Sequence, residues 1–233
     1  MKYNKKIYTA EFINRPNRFY ANVVLEGKEI KVHVPNTGRC RELLIPGCNV
    51  YLREENNPAR KTPFDLVAVN KGDRIVSIDS HIPNKVVEEA LINGKIDSLQ
   101  KYNIVLREKT FEKSRFDFKL SIEENLDDEY YLEVKGVTLE DNNHAMFPDA
   151  PTDRGARHLK ELVEAKKRGY GAGVLFLIQM DGVKSFSPND ERDPKFGEAL
   201  RYAYNNGVDI LAYNCNVTNE GIEINEKIKI ILD

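Results

Sequence analysis

Cysteine is scarce in this 233-residue chain: Cys40, Cys48 and Cys215 are all it has, and no two stand in a Cys-x-x-Cys pair. Neither a disulfide framework nor a zinc knuckle is indicated. Histidine is nearly as thin. His33, His81, His144 and His158 are scattered, and none is spaced as a metal pair on one helix, so any metal here is expected on oxygen ligands. Long apolar runs are missing as well. The stretch "GVLFLIQM" is far shorter than a membrane span, and "MKYNKKIYTAEF" lacks the apolar run of a signal peptide. The expectation is a cytoplasmic protein without a membrane partner.

What is present suffices for a sizeable core. The chain is 41% hydrophobic and 31% charged, long enough for one large or two small domains. The net charge of -2 hides an asymmetry. Residues 1–84 carry 14 Lys+Arg against 9 Asp+Glu, a balance of +5, and residues 85–233 carry 21 against 28, a balance of -7. A basic front and an acidic back suggest a polyanion docked mainly by the first part.

Turn punctuation divides the first 80 residues into short strands: "KIYTAEFI", "FYANVVL", "EIKVHV", "NVYLREE", "FDLVAV" and "RIVSID". With "PNTGRCRELLIPG" between the third and fourth, the layout is compatible with a small five-stranded barrel of the oligonucleotide-binding type. At "IPNKVVEEALING" the period becomes helical, with Val86, Val87, Ala90 and Leu91 on one side, which places a domain boundary near residue 82. The first domain is therefore expected over 1–82 and the second over 83–233. In the second, the order reads α-β-β-β-α-β-α-β-β. It includes a hairpin of "RFDFKLSIE" and "EYYLEVKGVTL", a helix from Asp153 to Arg168 capped by Thr152, and "GVLFLIQM" as an internal strand.

The hairpin carries the candidate chemistry. Alternation puts Phe116, Phe118, Leu120 and Ile122 on one face and Asp117 and Lys119 on the other, while Glu133 and Lys135 share a face opposite Leu132 and Val134. With the apolar faces joined, Asp117, Glu133 and Lys135 project to one side. Strands about 4.8 Å apart let both carboxylates reach one divalent cation, Mg²⁺ or Mn²⁺, with a substrate phosphate completing the shell. The metal activates water, and Lys135 orients it or stabilises the developing anion. Gln179, ending the next internal strand, is a further candidate near the metal. The plainer alternative is a solvated Glu-x-Lys pair on a strand.

Asp117 followed by Glu133-x-Lys135 in this order resembles the PD-(D/E)xK nuclease superfamily, although phenylalanine and not proline precedes Asp117. Across nearly the whole chain, "RPNRFYANV", "VHVPNTGR", "ARKTPFDLVAV", "RFDF", "LEVKGVTL" and "FPDAPTDRGARHLKEL" resemble the sugar fermentation stimulation protein family (SfsA). The resemblance implies an α+β two-domain fold: an OB-like N-terminal β-barrel and a C-terminal α/β nuclease-like domain with a mixed central sheet. It implies DNA binding with little sequence preference, and by the family's name a regulatory role in sugar use. Glu89 on the first helix resembles the upstream acidic metal ligand of some superfamily members, with Glu88 competing for that assignment.

Candidate nucleic-acid contacts are Arg15 and Arg18 in "RPNRF", Arg39 in "PNTGR", and Arg60 and Lys61 in "ARKTP". In the second half, Arg154, Arg157 and His158 are expected on the polar side of a helix whose N-terminus favours an anion. Two functions follow: a metal-dependent nuclease, or a DNA-binding regulator that keeps the scaffold without cutting. A module binding no nucleic acid is the third.

Overall fold

The computed structural model describes residues 1–112 and 114–233. They divide into two compact units, Met1–Ile82 with Gln179–Asp181 and Cys215–Glu223, and Pro83–Ile178 with Gly182–Asn214 and Ile224–Asp233.

The first unit is built on β1 (Ile7–Asn14), β2 (Tyr20–Leu25), β3 (Lys28–His33), β4 (Asn49–Glu54), β5 (Phe64–Lys71) and β6 (Arg74–Ser77). They follow the order β3-β2-β1-β4-β5-β6, and a β3–β5 pairing closes the first five into a barrel. This closed five-strand circuit is the OB-like architecture expected from the spacing of the turns. Inward positions of each strand are apolar, with Ala21, Val23, Val32, Val50, Leu52, Leu66 and Val69 fully or almost fully buried. At the closure, His33 meets Asp65 in register and its Nδ1 lies 2.8 Å from Asp65 Oδ1. Asp65 also takes Arg53 and Arg60, and Arg53 reaches Asp79 at 2.8 Å. Buried carboxylates here are thus matched by guanidinium groups.

The second unit begins with α1 (Ile82–Ile92) and continues through β7 (Ile104–Phe111), β8 (Ser114–Ile122) and β9 (Asn125–Val137). A two-strand excursion, β10 (Glu140–Asp141) and β11 (His144–Phe147), precedes α2 (Asp153–Lys167). Then come β12 (Gly171–Ile178), β13 (Ser185–Pro188), α3 (Pro194–Asn205), β14 (Asp209–Thr218), β15 (Gly221–Lys227) and β16 (Lys229–Ile230), the end of β14 and the start of β15, Cys215–Glu223, being counted with the first unit. The main sheet runs β15-β14-β12-β9-β8-β7. It is mixed: β7, β8 and β9 are antiparallel neighbours, while β9, β12 and β14 are parallel. Ala172 through Ile178 are buried throughout, as a strand covered on both faces requires.

Caps place the helices. Thr152 Oγ1 accepts from Gly155 N at 3.0 Å, and Asp193 Oδ1 accepts from Phe196 N at 3.1 Å with Pro194 opening α3. Leu159, Leu162 and Val163 give α2 its buried stripe. A second small sheet, β10-β11-β13-β16, was not expected from the sequence. Among the described residues no helix is long and apolar enough to cross a membrane.

Candidate active site and basic groove

The strand irregularity at Asp117 shapes the site. Arg107 pairs with Phe118 and Lys109 with Phe116, which leaves Glu108 opposite Asp117, and Glu108 takes a φ of 51°. Phe116 lies 5.8 Å from the Tyr131 ring and 6.2 Å from the His158 ring, on the side of Glu133. Phe118 instead registers with Leu132, on the opposite face. The alternation that would hold both phenylalanines on one face is therefore broken. The chain turns over at Asp117, a local departure that pattern alone does not reveal.

There the Asp117 carboxylate accepts from Val134 N at 2.8 Å and from Asn84 Nδ2 of α1 at 2.7 Å. Burial, then the negative charge of Glu133, raises its pKa. Glu133 is 4% exposed. Its Oε1 takes both Lys135 Nζ at 2.7 Å and His158 Nδ1 at 2.5 Å. Burial opposes ionisation of Glu133, but the hydrogen bond from His158 and the charge of Lys135 outweigh it, and the pKa falls. Asp117, Glu133 and Lys135 form one electrostatic group, as each of the other two charges acts on Asp117.

Glu133 Oε2 is buried without a hydrogen-bond partner. An ionised oxygen orphaned in this way is costly unless something absent from the protein satisfies it. Two carboxylates are the kind of donor set that a hard divalent cation prefers. Among the described residues no group of three or more His, Cys, Asp or Glu side chains is placed to hold a metal ion. Glu89 does not complete a third. On a 3.6-residue helix it lies about 140° around from Asn84, which faces Asp117; Glu88, nearer in angle, is taken by Arg107 at 3.3 Å.

Gln179 belongs to the first unit. Its Nε2 donates to Ser77 O at 3.0 Å while Ser77 N donates to Gln179 O at 2.9 Å, so this buried amide is engaged in joining its segment to β6. His158, expected on the polar side of α2, is 3% exposed and faces Glu133. It is a partner of the carboxylate and not a surface contact for phosphate. Its neighbour Arg154 is exposed and donates through Nε to His158 Nε2 at 3.3 Å. Arg157 is exposed on α2 and, with Lys160 and Lys195, lines a cavity of about 510 Å³.

The barrel unit contains a groove of about 660 Å³ lined by four arginines, Arg15, Arg18, Arg39 and Arg41, and by no carboxylate. Arg15 is spent inside the protein: its guanidinium donates to the carbonyls of Gly38, Arg39, Arg18 and Asn36 at 2.6–2.8 Å. It ties the two loops together, and burial lowers its pKa. Arg18 and Arg39 are exposed. Arg41, also exposed, was missed in the sequence although it stands only two residues after Arg39; its place in the same groove was the signal that pattern alone did not give. Phe19 beside Arg18 is 54% exposed. Arg60 is held by Asp65, a barrel contact, whereas Lys61 is exposed.

Residues 81–221 match the family described as the sugar fermentation stimulation protein RE domain, and residues 13–78 match the SfsA N-terminal OB domain. Sugar fermentation stimulation protein homologs of Clostridium acetobutylicum and Clostridium perfringens (strain SM101 / Type A) are each 61% identical, covering 100% of this chain and 100% of their own. The solved structure of Pyrococcus furiosus SfsA in complex with Ca²⁺ matches with a TM-score of 0.88 at 28% identity, over 99% of this chain and 98% of that one.

Proposed function

The chain belongs to the sugar fermentation stimulation protein family, and from that premise we propose that it binds DNA and hydrolyses phosphodiester bonds with a divalent cation, Mg²⁺ or Mn²⁺, held by Asp117 and Glu133. The observation that carries this reading is the orphaned Oε2 of Glu133, buried and ionised beside a second carboxylate. A structural ion pair gains nothing from leaving a charged oxygen unsatisfied. The Ca²⁺ bound by the Pyrococcus furiosus relative is a hard cation with the same preference for oxygen ligands.

A divalent cation in this place lowers the pKa of a bound water and offsets the charge that builds on the phosphoryl oxygens during in-line attack. Asp117, fixed by Val134 N and Asn84, presents an oriented carboxylate. Lys135, anchored on Glu133 Oε1, places an ammonium where it orients the attacking water and stabilises the developing anion. In the barrel unit, Arg18, Arg39 and Arg41 contact phosphates, and Phe19 offers a face for base stacking. Contacts of this kind carry little sequence information, which suits DNA binding without strong sequence preference. Lys61, Arg154 and Arg157 are further candidate phosphate contacts.

The test is incubation of the purified chain with single-stranded, duplex and branched DNA, with Mg²⁺ or Mn²⁺ and with chelator. Cleavage that requires the metal and falls at least 10²-fold in Glu133→Gln is expected, given the size of a lost electrostatic group in catalysis. One observation favours a second reading, a DNA-binding regulator without cleavage: among the described residues no group of three or more His, Cys, Asp or Glu side chains is placed to hold a metal ion. Retained binding with no cleavage of any substrate under either metal decides for that reading and against the enzyme.

A further inference from the structure

We infer that His158 is a positioning residue that fixes the Glu133 carboxylate so that Oε2, and not Oε1, is presented to a divalent cation. The inference rests on the two-carboxylate metal site proposed above and adds how that site is oriented.

Hydrogen bonding fixes the tautomer. Arg154 Nε donates to His158 Nε2, which makes that nitrogen an acceptor and leaves the ring hydrogen on Nδ1, aimed at Glu133 Oε1 at 2.5 Å. The ring is held otherwise by packing: it is almost fully buried, with Phe116 against it at 84° between the planes. Lys135 supplies the other donor to the same Oε1. With both protein donors on one oxygen, the carboxylate is pinned about its terminal torsion and the other, buried oxygen is left without a hydrogen-bond donor. A histidine whose role was only to satisfy a buried carboxylate would leave the choice of oxygen immaterial. Here two elements, α2 and β9, converge on one oxygen and leave its twin bare.

Hydrogen-bonded partners of metal ligands set ligand orientation, and losing one typically costs about 10- to 100-fold in metal affinity. The experiment titrates the full chain with Mn²⁺ and with Ca²⁺ by calorimetry, without nucleic acid, alongside thermal unfolding. His158→Leu removes the donor, and His158→Asn keeps an N–H near the position of Nδ1. The expected result is a loss of about tenfold or more in affinity for His158→Leu, with most of it recovered in His158→Asn. Both variants lose thermal stability, so recovery of affinity without recovery of stability separates positioning from packing.

His158→Leu binding either ion as tightly as the unsubstituted chain overturns the inference and leaves the two-carboxylate site standing. An unsubstituted chain that takes up neither ion overturns the site itself, and the inference with it. Should His158→Leu fail to fold, Arg154→Ala on the exposed side of α2 supplies the reading. A severalfold loss of affinity from freeing the ring supports positioning, and unchanged affinity counts against it.

Discussion

Asp117 and Glu133 are both carboxylates on neighbouring strands, yet their surroundings drive them in opposite directions. Burial and the adjacent negative charge raise the pKa of Asp117, while the His158 and Lys135 contacts hold Glu133 low against burial. Such a split is a mark of functional sites more than of stabilising ones. It carries a consequence with a definite sign. A carboxyl whose folded pKa is raised above its unfolded value subtracts from stability at high pH, and the penalty disappears as pH falls through the folded pKa. Asp117→Asn is therefore expected to raise the melting temperature near pH 7, by about 0.5–1 kcal/mol in stability, and to raise it less near pH 4, where Asp117 is itself increasingly protonated. The new amide keeps an acceptor for Val134 N, and Asn84 turns its own amide to receive the added donor. Thermal unfolding at the two pH values checks this; an Asp117→Asn protein no more stable than the unsubstituted chain at pH 7 contradicts it. At this scale the closeness of Asp117, Glu133 and Lys135 was legible in the sequence, because Glu-x-Lys spacing on a strand is a local property. It did not disclose His158 as a partner of Glu133, since α2 meets β9 only in the folded chain.

At the scale of elements, the β9–β12 pairing depends on an absent side chain. Gly171 and Gly173 register with Tyr130 and Leu132, and the Tyr130 ring lies over both glycines: a Cβ on Gly173 falls 2.1 Å from Tyr130 Oη and 3.1 Å from Asp209 O. Tyr130 cannot readily retreat, because its hydroxyl donates to Asp209 Oδ2 at 2.8 Å and its ring packs on Tyr102. Gly173→Ala is accordingly expected to destabilise by about 1–3 kcal/mol, the usual cost of overfilling a packed site. Tyr130→Phe, which removes the crowded oxygen, recovers part of that loss in the double variant. Urea unfolding of the four proteins measures the coupling, and strict additivity removes the steric account. Element order was legible in advance: runs of 6 to 15 residues with caps and glycine stops announce themselves locally. The β10-β11-β13-β16 sheet was not, since strands of two to four residues offer too few positions for a period of two, and their parallel pairings join distant segments. The change of face at Asp117 was hidden for a related reason: alternation assumes regular backbone, and Glu108 departs from it.

For the whole molecule the governing quantity is where charge sits, not its total. A chain of net charge -2 has no general attraction for a polyanion, so the proposed DNA binding must come from focused cations. The barrel groove supplies three exposed ones, Arg18, Arg39 and Arg41, with no carboxylate along its lining. Charge counting along the sequence pointed to the first half. It overstated the number of free cations there, because Arg15, Arg53 and Arg60 are consumed by carbonyls and carboxylates within the barrel. Each phosphate neutralised by the groove releases condensed counterions, and the logarithm of the binding constant falls against the logarithm of salt by about 0.9 per contact on duplex DNA or 0.7 on a single strand. Replacing all three arginines with alanine is thus expected to flatten the slope by about 2–3 units. Affinity should fall with similar force on unrelated sequences, since phosphates are common to all of them. Anisotropy titrations between 50 and 200 mM salt, a range in which such contacts are steeply sensitive, measure both quantities. A triple variant with an unchanged slope places the DNA elsewhere on the chain, whereas Arg15→Ala, which frees four loop carbonyls, should act first through the melting temperature and only then through binding.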